Sequence, residues 1–362
     1  MNPNPTYTPV PASDDSDDIE MQGLLAPSNN HNPNSNVKHL TIPNNQPTLL
    51  QRLDDHVNVK VLNRIWGPYL EFIVRLMLVS TFLDDSLRTI STFSEHTAEV
   101  GELGLKWLSS PGLINVMATA TLLIGLLAQT VGSLCLLKLF YTDGATKALV
   151  LWMIAQPMLY RQLSNFEFVA ESLSLVGGLL MLRAHVINTV GARTKLFGRL
   201  LLPAMYVYYA GNFLYSALVE EETSSLANYV ASLSIFLVNT LVFIGLLIGS
   251  ALVATGLRSR MVALLLALVN LVFVFYQHPF FLFISFKDGT WVYDEDMPLP
   301  NVALPEDISV GDFELSQIYQ LHRYYYFLGL SNSGALLLLA QFGPGEIAVQ
   351  KDEVILPTRA QD

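Results

Sequence analysis

About half of the 362 residues are apolar, only 14% are charged and mean hydropathy is positive, which excludes a pair of ordinary soluble domains and indicates a polytopic membrane protein. The formal net charge of −11 offers no basic surface for nucleic acid. Cys135 is the only cysteine, so no intramolecular disulfide and no thiolate-bound zinc or iron–sulfur centre is expected.

Residues 1–64 read as a disordered, acidic cytosolic tail, because the first fifty or so are rich in Asn, Pro, Ser and Asp and lack any apolar period. No signal peptide is read there. Glu20, Leu24 and Leu25 form Glu-x-x-x-Leu-Leu, the pattern of acidic dileucine signals read by clathrin adaptors. The competing reading is a solvated tail with two stray leucines.

From Trp66 the chain breaks into apolar runs that approach the roughly 20 residues needed to cross about 30 Å of hydrocarbon. The clear runs are Trp66–Leu83, Gly112–Leu137, Leu200–Val219, Leu226–Thr255, Met261–Phe286 and Tyr324–Phe342. Two weaker ones, about 146–163 and 167–186, read as a third and fourth span, with a re-entrant pair as the alternative. The expectation is an all-α bundle of about eight spans over residues 65–343, followed by a short cytosolic tail at 344–362.

Charge alternates between the connections. Lys138 and Lys147, then Arg183, Arg193, Lys195 and Arg199, then Arg258 and Arg260 mark one face, which the positive-inside rule makes cytosolic together with both termini. The other face gathers acids against only Arg88, Lys106, Arg161, Lys287 and Arg323. It includes segment 287–323, which reads as an ordered acidic luminal loop or lid.

The first span carries the charges that cost most in lipid. Glu71 and Arg75 stand at i,i+4 and share a helix face, so they read as an intramembrane ion pair with Arg75 in mid-span. Asp84 and Asp85, with Arg88 one turn on, are expected at the water boundary. Gln156-Pro157, Pro203 and Gln277-His278-Pro279 predict kinks, while Gly177-Gly178 and Gly245-x-x-x-Gly249 predict close helix approach. The histidines are scattered, and no catalytic set or metal motif is read. The chain is therefore not expected to be an enzyme or to hold a cofactor.

Five segments resemble the surfeit locus protein 4 family in the family's order: RLMLVSTFLDDSLR at 75–88, QPMLYRQLSNFEFVAESLSLVGGLLML at 156–182, Gly198-Arg199, ATGLRSRMVAL at 254–264, and YYYFLGLSNSGALLLLAQFGPGEIAV at 324–349. The resemblance implies a multispanning endoplasmic reticulum membrane receptor. Such a receptor binds soluble secretory cargo in the lumen, loads it into COPII vesicles bound for the Golgi and returns through COPI. Asp84 and Asp85 match the family's acid pair, and with Arg88, Tyr160 and Tyr325 they are the candidate cargo contacts. An acidic luminal face suits a cargo amino terminus. Membrane lipids are further partners. Animal members end in a lysine-rich retrieval signal, whereas this chain ends LPTRAQD, which leaves a post-Golgi or endosomal location open. Two other readings stand beside the receptor: a DoxX-like membrane subunit linked to redox chemistry, and a small-solute or lipid transporter.

Overall fold

A computed structural model describes residues 60–108, 110–187, 191–219, 226–287, 290–294, 297–298, 314–345 and 347–348. Glu20, Leu24 and Leu25 lie outside them. The described chain is helical apart from one two-stranded hairpin. Its helices are α1 (Lys60–Ser91), α2 (Phe93–Leu103), α3 (Pro111–Lys138), α4 (Thr142–Leu159), α5 (Phe166–Val186), α6 (Ala192–Leu201), α7 (Ala204–Val219), α8 (Leu226–Thr255), α9 (Ser259–Gln277) and α10 (Leu315–Phe342).

Four stretches are long and apolar enough to cross a bilayer: Pro111–Lys138, Phe166–Val186, Leu233–Thr255 and Ser259–Leu282. They lie within or along α3, α5, α8 and α9. Their burial differs because their neighbours differ. In the apolar window of α5, 61% of residues are buried inside the protein, against 11% in that of α8. The first is an interior helix and the second presents Leu237, Leu241 and Ile248 outward, as a lipid-facing helix would.

The core is organised around α10, which packs along α1, α9 and α5. Val74, Leu78, Phe82, Leu175, Leu179, Leu182, Leu336 and Leu339 form one buried cluster. Close approach depends on glycine at particular points. A Cβ on Gly334 would sit 2.7 Å from the Leu78 backbone nitrogen, and one on Gly178 would sit 2.5 Å from the Ala335 Cβ. Gly198 and Gly177 face each other across α5 and α6 at comparable distances. Gly245 is different: a Cβ there meets nothing within 4 Å, and one on Gly249 makes only ordinary contact with Leu266. The close packing expected at Gly245 and Gly249 is therefore not made there, whereas that expected at Gly177 and Gly178 is.

Local chemistry explains the ends. Asn165 caps α5 by accepting from the Phe168 amide at 3.3 Å, and Pro111 opens α3 at a position where its missing N–H is not needed. Pro203 separates α6 from α7, so the expected run Leu200–Val219 is split rather than merely kinked. Pro157 is accommodated within α4.

The run Met261–Phe286 does not continue as one helix. α9 stops at Gln277 before His278-Pro279, a short 3-10 turn follows at Phe280–Leu282, and β1 (Ile284–Lys287) pairs antiparallel with β2 (Thr290–Tyr293). An X-Pro step disfavours helix at the residue before it, and the aromatic residues that follow suit a pleated ribbon. In the expected 287–323 loop, the described residues are therefore the end of β1, β2, Asp294, Met297, Pro298 and, from Glu314, the start of α10.

At the basic end, Arg199 is 2% exposed and its guanidinium is held entirely by backbone. Nε donates to the Ala254 carbonyl at 3.0 Å, Nη1 to Pro344 at 2.8 Å and Nη2 to Ile347 at 2.6 Å. One side chain thus joins α6, the end of α8 and the turn after α10. That turn exists because Gly343 and Gly345 adopt φ of +78° and +87°, which other residues rarely do.

Candidate functional site

Asp84 and Asp85 lie inside α1, which runs on to Ser91, and are 6% and 7% exposed. Neighbouring helices cover both side chains. Asp85 accepts from Arg88 Nη2 at 2.7 Å and from Gln129 Nε2 at 2.5 Å. Asp84 accepts from Arg323 Nε at 2.5 Å. Arg88 lies over the Tyr324 ring, 5.6 Å from its centroid.

Depth follows from the partners. Arg75 Nη1 donates to the Leu137 carbonyl at 3.0 Å, in the last turn of α3, and Nε donates to the Glu71 carbonyl at 3.2 Å. Its contact with the Glu71 carboxylate is longer, 3.8 Å. Arg75 is thus level with the C-terminal end of α3, where its charge suits the negative end of that helix's dipole. Gln129 stands eight residues before Leu137, so the Asp85 contact lies about 12 Å along α3 from the Arg75 contact.

A small cavity of about 20 Å³, room for one water molecule, opens beside this cluster. Its polar wall is Asp85, Gln129, Gln156, Glu171 and Tyr324, and its apolar wall includes Phe82, Met153, Phe168 and Leu328. Glu171 is 2% exposed. The contact to its carboxylate comes from the Tyr209 hydroxyl at 3.5 Å, at the outer limit of a hydrogen bond. Glu167, one turn earlier on the same face of α5, is 8% exposed. In contrast to Asp84 and Asp85, neither glutamate has a lysine or arginine in ion-pair contact among the described residues. Two like-charged side chains buried one turn apart require a proton or a cation from elsewhere.

The other expected contacts, Tyr160 and Tyr325, do not line the cavity. Tyr160 ends α4 and its hydroxyl lies 3.4 Å from His96 Nδ1 of α2. Tyr325 points away and stacks on His278, with ring centroids 5.4 Å apart, so it is Tyr324 that lines the cavity. Gln129, Glu171, Arg323 and Tyr324 are the residues that sequence reading did not single out. Gln129 had a signal: it interrupts an apolar run at mid-depth, where an amide is costly unless bonded. Arg323 had none, since nothing in the sequence pairs it with Asp84.

The profile of the SURF4 family matches residues 48–288. The chain belongs to the SURF4 family. Relatives include the ER-derived vesicles protein ERV29 of Saccharomyces cerevisiae, 24% identical over 292 residues, covering 80% of this chain and 78% of the yeast protein. The surfeit locus protein 4 homolog of Drosophila melanogaster is 25% identical over 282 residues, covering 77% of this chain and 88% of the fly protein. An uncharacterized protein of Caenorhabditis elegans is 24% identical over 303 residues, 83% of this chain and 95% of its own. No solved structure matches the chain. Three segments that carried the family resemblance in the sequence, at 198–199, 254–264 and 343–348, meet at the Arg199 clamp, and the 75–88 and 156–182 segments supply most of the cavity wall.

Proposed function

We propose that this chain is a membrane cargo receptor of the early secretory pathway, which takes up soluble secretory proteins through the acidic end of the bundle and is packaged with them into vesicles leaving the endoplasmic reticulum. Family membership and the yeast relative's name, an ER-derived vesicles protein, support a role in vesicle trafficking from that compartment. In this reading COPII components carry the receptor outward to the Golgi and COPI components return it.

The observation that carries the cargo reading is Glu171. It is a buried carboxylate facing a cavity of one-water size, with Glu167 beside it and without a basic partner among the described residues. The free amino terminus of a cargo chain supplies the missing charge, and an ammonium head is about as large as the water the cavity admits. Asp85 is already paired with Arg88 and bonded by the Gln129 amide, so it shapes the wall and is not the main attractant. The apolar residues after the amine rest outside the cavity.

The test uses full-length receptor and a dependent cargo in two forms, with a free and with an acetylated amino terminus. Capture of the free form exceeds that of the acetylated form at least about tenfold, the range of one charge-assisted hydrogen bond, and Glu171→Gln removes the difference while receptor abundance holds. Equal capture of both forms by the parent receptor refutes the amine reading.

A further inference from the structure

We propose that His278 and His322 form a proton-sensitive latch that holds the turn and hairpin after α9 against α10. The two Nδ1 atoms are 3.2 Å apart. His322 is 1% exposed, and its Nε2 lies 2.7 Å from the Pro298 carbonyl oxygen. A carbonyl only accepts, so His322 Nε2 carries a hydrogen. When His322 is neutral its Nδ1 is therefore bare, and the hydrogen between the rings belongs to His278.

This arrangement accommodates one added proton and fails at two. With one, His278 moves its hydrogen to Nε2 and accepts at Nδ1 from the His322 imidazolium. A second proton sets two N–H groups and two positive charges face to face at the same distance, and the contact becomes repulsive. His322 keeps its bond to Pro298 in either state, so the contact that breaks is the one between the end of α9 and α10.

The surroundings decide what moves. On α10 the neighbouring groups are Tyr319, Tyr325, which stacks on His278, and Arg323, which is bonded to Asp84 of α1. From the turn, Phe283 packs on His322 with centroids 5.0 Å apart, and the Phe283 carbonyl accepts from the Asp294 amide at 3.0 Å. Tyr293 of β2 packs on Tyr319. Among the described residues, the carboxylates on these elements include Asp84 and Asp85 of α1, Asp294 after β2 and Glu314 at the N-cap of α10. His278 is the C-cap of α9 and feeds directly into the 280–283 turn, so repulsion from His322 displaces turn and hairpin together. They lie against the stretch of α10 that carries Arg323 and Tyr324. That the displacement regulates the cargo site rests on the function proposed above; the latch itself does not.

The experiment needs no cargo. A nitroxide is attached to full-length protein at Val292→Cys in a Cys135→Ser background, with Phe140→Cys at the opposite end as a separate control. Spectra are recorded from about pH 7.5 to about pH 4, because the second proton of a close histidine pair binds below the range of a free imidazole. The expected result is an immobilised label at the upper pH and a mobile component that grows several-fold as pH falls through the uptake of the second proton, with the Phe140→Cys label unchanged. In His278→Gln with His322→Gln, whose amides retain the bonding pattern but not the titration, the pH response disappears. A label at Val292→Cys that is insensitive to pH overturns the proposal, as does a response that persists in the double variant or one that Asp294→Asn abolishes. Loss of order at Phe140→Cys in the double variant calls for the same measurement in His278→Gln alone. There one proton is the most the pair can take up, so a retained pH response counts against the latch and its loss counts for it.

Discussion

Arg323 and Asp84, 239 positions apart in sequence, meet at 2.5 Å and join the third turn of α10 to the last quarter of α1. The two ends are unequal. The Asp84 side chain is 6% exposed, whereas that of Arg323 is 30% exposed.

That asymmetry gives a ranked prediction. Arg323→Gln strands a buried carboxylate and is expected to cost about 3–5 kcal/mol unless the acid protonates. Asp84→Asn leaves an arginine that reaches water, and the expected cost is lower, about 1–2 kcal/mol. The double variant recovers most of the larger loss. Unfolding midpoints of the four proteins in one detergent settle the order, and a more damaging Asp84→Asn contradicts the assignment of the buried end.

The Arg199 clamp predicts a local failure. Arg199→Met removes three donors and leaves the carbonyls of Ala254, Pro344 and Ile347 without them. A loss of about 2–4 kcal/mol is expected, the sum of three bonds to a charged donor less the cost of burying that charge. Arg199→Lys does not rescue it, because an ammonium cannot reach three divergent acceptors from one stem. Hydrogen exchange at 343–348 should rise in both variants before the helices respond.

Glycine substitutions separate packing from propensity. Gly334→Ala forces α1 and α10 apart at backbone positions and should cost about 1–3 kcal/mol. Gly211→Ala and Gly245→Ala meet open space, so each should be neutral or stabilise by up to about 1 kcal/mol through helix propensity. Thermal denaturation of the three variants tests this, and equal losses at all three sites contradict the packing.

Orientation is tested without reference to the site. Tags placed before Pro11 and after Gln361 are expected to be cut by protease added to intact microsomes, and a tag near Asn301 to be protected. The alternation of basic and acidic connections is the basis. Cutting at Asn301 reverses the bundle and places the acidic end in the cytosol.

By itself the sequence determined the helical, membrane-embedded character of the chain, because apolar runs of bilayer length carry that information locally. It also determined the family, through short segments in a fixed order, and it singled out Asp84, Asp85 and Arg88 as charges out of place in an apolar run. Tertiary structure decided what those charges do. Helical spacing relates Glu71 to Arg75 or Asp85 to Arg88, but it says nothing of Arg75 with Leu137, Asp84 with Arg323 or Asp85 with Gln129, which depend on how separate helices are placed. The same limit hid the histidines. His278 and His322 are scattered along the chain and adjacent in space, because a proline ends α9 beside the first turns of α10. Nothing in the sequence marks Glu171 as buried without a basic partner among the described residues; the packing of α5 inside the bundle decides that, and a buried charge is defined by what surrounds it.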